Sequence, residues 1–133
     1  LKDVNGTFYI PVNIGGKTEN FILDSGASDT TISSVIESFL IKNGIITKQD
    51  YLSDALYKIA DGSVVSQRRF ILKKLKVGNF TVKNLIISVG DENSPLLLGK
   101  NFLDKFETWT IDNSKKTIKL KTKWVAIEPS KKM

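Results

Sequence analysis

Chemistry in this chain centres on Asp24, which closes the apolar run Phe21-Ile22-Leu23 and opens the small-residue turn Ser25-Gly26-Ala27-Ser28, with a second acid at Asp29. A carboxylate at the end of a core strand is costly to desolvate unless it has partners or a task. Ser25, Gly26 and Ala27 are too small to cover it, and Gly26 admits a backbone turn that bulkier residues resist. The 133 residues include no histidine and no cysteine. Disulfides and Cys–His or Ser–His catalysis are therefore excluded, and neither a metal site nor a cofactor is expected. Hydrolysis here has to rest on carboxylates, lysines or hydroxyls.

Peptide hydrolysis without a covalent intermediate needs a carboxylate that activates water and a carboxylic acid that protonates the carbonyl oxygen. Two carboxyls about 3 Å apart, sharing one proton, supply both roles. This chain has one Asp-Ser-Gly. Asp61-Gly62 and Asp91-Glu92 do not follow an apolar strand with a hydroxyl and a glycine behind them. A single chain thus carries half of such a site.

The elements that must position Asp24 are read from hydrophobic period. Residues 6–14 alternate, with Phe8, Ile10, Val12 and Ile14 on one face, which predicts a strand. Pro11 places that strand at an edge or at a position whose N–H is unpaired. Gly15-Gly16 is a hairpin turn, and residues 19–24 return to the acid. Thr30-Thr31-Ile32 is a short β-branched run. Ser33 or Ser34 caps a helix with Glu37 in its first turn, an apolar face of Val35, Ile36, Phe39 and Leu40, and an end at Asn43-Gly44. Residues 45–54 read as a loop or inserted turn. Ala60-Asp61-Gly62-Ser63 joins two β-like runs as a hairpin. Residues 67–77, with Phe70, Leu72 and Leu75 inward, and 81–89 follow as strands. The apolar run Leu96-Leu97-Leu98 then enters Gly99 and a short helix over 101–105, with Phe102 and Phe106 four apart. Residues 107–111 and 117–120 form a further hairpin, residues 124–127 add a strand, and 129–133 read as a flexible tail. The chain is expected to be mostly β, one domain over 1–128, with one or two short helices.

Composition sets the remaining bounds. The apolar fraction of 41% and charged fraction of 26% are those of a soluble globular protein. The net charge of +6 is mostly lysine. Without interleaved aromatics and arginines it reads as a solvated surface with protected strand edges rather than a nucleic-acid groove, so no nucleic acid is expected as a partner. No apolar run approaches the roughly 20 residues of a membrane span. The chain begins at Leu1 rather than Met, which reads as a fragment or processed product. Membrane contact is then expected only through a preceding segment. No compartment follows from the sequence.

Three features in this order resemble the retropepsin-like aspartic proteases, close to the single-domain bacterial and retroelement-like members. They are Asp24-Ser25-Gly26-Ala27, the hairpin at Ala60–Ser63, and Leu97-Leu98-Gly99 before a short helix. The resemblance extends through Thr110-Ile111-Asp112. It implies a closed, barrel-like β fold and an aspartic endopeptidase acting on peptide or protein substrates. It also implies a homodimer with Asp24 from each subunit across a twofold axis. By the same resemblance Asp24 is catalytic, and Ser25 holds the opposite loop. Gly26 offers backbone groups to water and substrate. Ala27, Ser28 and Asp29 lie beside the bound peptide, and Leu97 lines a side-chain pocket. Ala60, Asp61, Gly62 and Ser63 form a flap; independently of the resemblance, the hairpin turn predicts positive φ at Gly62. The chain departs from viral relatives in carrying Ser28 directly after Ala27 and Lys100 after Gly99. Lys100 suggests a pair with Asp29, without the two-pronged geometry of arginine. Two other readings fit less of the chain: a catalytically silent dimeric peptide-binding module of the same fold, and a basic nucleic-acid-binding β-module.

Overall fold

A computed structural model describes residues 2–4, 7–58, 61–115 and 117–122. Eleven strands and two α-helices are described: β1 Lys2–Val4, β2 Thr7–Ile14, β3 Lys17–Leu23, β4 Thr30–Ile32, α1 Ser34–Lys42, β5 Ala55–Lys58, β6 Val64–Gln67, β7 Arg69–Val77, β8 Phe80–Val89, β9 Leu97–Leu98, α2 Lys100–Leu103, β10 Phe106–Asp112 and β11 Thr117–Thr122. Seven strands form one sheet in the order β1-β2-β3-β9-β4-β8-β7, and an added pairing of Asn13 with Lys76 joins β2 to β7. That pairing closes the strand order into a ring with β1 outside it. The hairpins β5–β6 and β10–β11 are separate two-stranded sheets.

The ring follows from alternation. Ile10, Val12 and Ile14 of β2 are buried while Pro11 and Asn13 are exposed. They join Phe21, Phe70, Leu72, Leu85, Ile87, Leu98 and Phe102 in one core. Gly15 and Gly16, at φ 63° and 88°, make the β2–β3 turn, whose geometry calls for positive φ at both central positions. Pro11 lies between the residues of β2 that pair with β1, which end at Tyr9, and Asn13, which pairs with β7. Its missing N–H falls in the gap between those two pairings.

Strict alternation fails in β7 and β8. Leu72 and Leu75 are both buried, with Lys73 and Lys74 exposed between them. On β8 Val82 and Leu85 are buried, with Lys83 and Asn84 exposed. Leu72 still pairs with Leu85 and Lys74 with Lys83, so the register is kept. Both strands change faces together, and Asn84 sits at φ 55° at the switch, a conformation asparagine tolerates better than branched residues.

Several expectations are corrected in detail. Ser33 caps α1 and accepts the Ile36 N–H at 3.3 Å, and Ile36 and Leu40 are buried, but Val35 is 56% exposed. The buried stripe runs through 33, 36, 37 and 40, which leaves position 35 on the outer face. A 3-10 helix, Lys48–Asp50, stands within the stretch read as a loop. α2 begins at Lys100 and ends at Leu103, so Phe106 opens β10 instead, with its ring 5.3 Å from that of Phe102. The strand expected at 124–127, the tail at 129–133 and the boundary between them lie outside the described residues, as does Ala60. Among the described residues no helix is long and apolar enough to cross a membrane.

Candidate active site

Asp24 owes its position to β9, which inserts between β3 and β4. Ile22 and Leu23 pair in parallel with Leu97 and Leu98, and Thr31 pairs antiparallel with Leu97. The Ile22 and Asp24 amides donate to the carbonyls of Leu96 and Leu98 at 2.8 and 3.0 Å. Two apolar runs distant in sequence thus lie side by side, and the backbone of Asp24 is the last group held before the chain turns.

The turn is self-closing. The Ala27 N–H donates to the Asp24 carbonyl at 3.2 Å, and the Gly26 N–H to Asp24 Oδ1 at 2.9 Å. Beyond it, the Lys100 and Asn101 amides at the start of α2 donate to the carbonyls of Ala27 (2.7 Å) and Ser28 (3.1 Å). A side chain on Gly99 would collide with the Asp29 carbonyl. The run after Leu98 therefore needs glycine there for close approach, not for an unusual φ.

Asn101 ties the assembly together. Its Oδ1 accepts from the Thr30 N–H and the Thr30 hydroxyl, each at 2.8 Å. Its Nδ2 donates to the Ile86 carbonyl at 2.7 Å. The fully buried Thr30 in turn accepts the Gly99 N–H at 3.2 Å. One amide side chain thereby links β4, β8 and α2 around the turn.

Asp24 is half-buried, and Ser25 and Gly26 are exposed. Gly26, Ala27, Ser28, Asp29 and Leu97 line one open cleft of about 480 Å³, whose lining also includes Lys58, Val65 and Gln67 of the β5–β6 hairpin. Asp29 Oδ2 accepts from the Ser88 hydroxyl at 2.9 Å. Lys100 Nζ meets Asp104 at 2.8 Å, an exposed i,i+4 pair, in place of the pair suggested with Asp29. Asp61, Gly62 and Ser63 form the hairpin tip and are not part of the cleft lining. There Asp61 Oδ1 accepts from the Ser63 N–H (2.8 Å) and hydroxyl (2.6 Å). The Ser63 hydroxyl holds the Asp61 carboxyl below its ordinary range. Gly62 takes φ 90°, the positive value expected of it.

Residues 10–102, more than half of the chain, match the profile of the family described as Aspartyl protease. The chain belongs to the aspartyl protease family. No curated protein sequence matches it. Among solved structures, a retropepsin-like aspartic protease from Rickettsia conorii is similar, with a TM-score of 0.59 over 84% of this chain and 79% of that one, at 21% identity. The fold is thus that of the retropepsin-like aspartic proteases, and the matched span runs through both Asp24-Ser25-Gly26 and Leu97-Leu98-Gly99.

The sequence of this aspartyl protease left several site residues unnoticed. Asn101 was legible only as a polar residue inside a short apolar helix, and Thr30 only as a β-branched one. Lys58, Gln67 and Ser88 of the cleft carry no local signal, because the pairing of distant strands brings them there. Glu37 read as a first-turn acid beside an apolar face of Val35, Ile36, Phe39 and Leu40, and only the burial of Ser33, Ile36, Glu37 and Leu40 puts its charge inside, where it calls for a partner.

Proposed function

We propose that this chain is an aspartic endopeptidase whose catalytic dyad is completed by Asp24 of a second copy in a homodimer. The observation that carries the reading is the half-buried Asp24 in an exposed turn fixed by β9 and α2, beside a cleft that a hairpin helps to line. A twofold contact between such turns would bring two carboxylates together.

Each step then has a group to perform it. One carboxylate takes a proton from water, whose oxygen attacks the peptide carbonyl carbon. The partner carboxylic acid gives its proton to the carbonyl oxygen. Collapse of the tetrahedral diol breaks the C–N bond, and the amine leaves with a proton from the dyad. Ser25, exposed at the turn, is the residue to bond the opposite loop. Gly26, Ala27, Ser28, Asp29 and Leu97 receive the peptide. The hairpin carrying Asp61, Gly62 and Ser63 serves as a flap that excludes water on closing.

Digestion of an unbiased peptide library by the wild-type chain and by Asp24→Ala tests the reading. Cleavage by the first and none by the second is expected. A wild-type dimer that binds peptides and cleaves none would instead identify a silent binding module.

A further inference from the structure

The candidate site does not use the most enclosed charge described in the chain. Glu37, on the inner face of α1, is only 6% exposed. Its Oε2 accepts from the Tyr51 hydroxyl at 2.6 Å and from Arg68 Nε at 3.0 Å, and its Oε1 from an Arg68 terminal nitrogen at 2.6 Å. Tyr51 and Arg68 are the two feet of the β5–β6 hairpin. Tyr51 precedes β5 and bridges Phe70, while Arg68 is the one residue between β6 and β7. The Arg68 carbonyl accepts the Val89 N–H at 3.0 Å, which fixes that foot to β8.

The feet also meet each other, through the Leu52 N–H on the Arg69 carbonyl at 2.8 Å and the Arg69 guanidinium on the Ser53 carbonyl at 3.3 Å, but among these contacts only Glu37 reaches from α1 to both of them. The hairpin is a two-stranded sheet of its own, a form that is marginal in isolation. Its apolar side chains Leu56 and Val64 are 74% and 61% exposed. Glu37 is buried but the Arg68 side chain is 53% exposed, and an ion pair with one solvated partner adds little net stability, so stability alone gives little reason for this one. A planar guanidinium held at two points fixes orientation as well as position.

We propose that Glu37 is a positioning residue that sets the β5–β6 hairpin over the cleft by holding both of its feet, Tyr51 and Arg68, at once. Burial pushes the Glu37 carboxyl up, and the Arg68 and Tyr51 bonds pull it further down, leaving it below its ordinary range. The clamp therefore stays charged in mild acid. Asp54, which bonds the Ser66 hydroxyl at 3.0 Å, also acts on Arg68 electrostatically. Only the activity arm of the test rests on the peptidase reading.

Hydrogen exchange on the full-length chain, wild type against Glu37→Gln and Arg68→Lys, reads the hairpin directly. Glu37→Gln should lose at least tenfold in protection of the 55–58 and 64–67 amides, with β2–β3 and β7–β8 unchanged. Arg68→Lys, which keeps charge but not the fork, should fall between. With peptide substrate, Glu37→Gln should raise KM about tenfold with a smaller change in kcat. Unchanged hairpin protection in Glu37→Gln would overturn the proposal, as would a loss spread evenly over the ring strands. If the wild type cleaves nothing, the peptidase reading fails while the exchange result still decides the role of Glu37.

Discussion

Asp24 and Asn101 act at the scale of single residues, and they differ in how they can be tested. Asp24→Asn keeps an Oδ1 to accept the Gly26 N–H and removes only the ionisable oxygen. It should fold as the wild type does, with a melting temperature within a degree or two, and lose at least about 10³-fold in kcat. A variant that cleaves at the wild-type rate would place the acid elsewhere. Asn101→Ala should do the opposite. It leaves the Thr30 N–H, the Thr30 hydroxyl and the Ile86 carbonyl without their partner, at a cost of about 2–4 kcal/mol. Denaturant unfolding measures that loss, and Asn101→Asp, which restores only the acceptors, should recover part of it. The contrast marks what was legible. Asp24 announced itself because an acid after three apolar residues has few other uses. Asn101 did not, since its three partners come from residues 30 and 86, and no local pattern records which distant carbonyl an amide will meet.

At the scale of elements, period two located most strands, and Gly15-Gly16 and Asp61-Gly62 located two hairpins. What the period hid was the joint change of face at Lys73 and Asn84, because neither strand alone shows that its partner shifts with it. It also hid the slot for β9, since a two-residue strand is below the length at which alternation means anything. The tip of the β5–β6 hairpin yields its own prediction. A side chain on Gly62 meets open space, so Gly62→Val is opposed only by φ 90°. The strain, about 1–3 kcal/mol, falls on the hairpin tip and not on the core. Activity should fall severalfold with little change in global unfolding; equal activity would remove the tip from the mechanism. The feet of the hairpin respond to acid in a defined direction. Glu37 is held below its ordinary value of 4.5, so it stabilises the folded state above that value. The contribution is lost as pH falls through the lowered folded value. The stability gap between wild type and Glu37→Gln should stay level from neutral pH to about 5 and close below about 4.5. A gap that closes already near pH 6 would mean that the carboxyl is not held by Arg68 and Tyr51.

For the whole molecule the question is whether two copies meet through Asp24, and charge decides how to ask it. Each chain carries a net +6, and Lys74 faces Lys83 directly across β7 and β8. Two such chains repel, so higher ionic strength should strengthen association, with most of the effect between about 0.05 and 0.5 M salt. Acid acts twice, in opposite senses. It neutralises carboxylates over the whole surface, which raises the positive charge and weakens association in any variant. It also supplies the proton that two facing carboxylates must share. At a pH where an isolated carboxyl is ionised, forming the dyad takes up a proton, so association gains as pH falls. The gain ends once the isolated carboxyls are themselves protonated. Asp24→Asn cancels the second effect and keeps the first. Sedimentation equilibrium at about pH 7.5 and pH 5, at constant moderately high salt, should therefore find the Asn variant the tighter dimer at the higher pH. The difference should shrink or reverse at the lower pH. Parallel pH dependences in the two proteins would rule out facing Asp24 side chains even if a dimer forms, and a monomer under every condition would leave each chain with half a site.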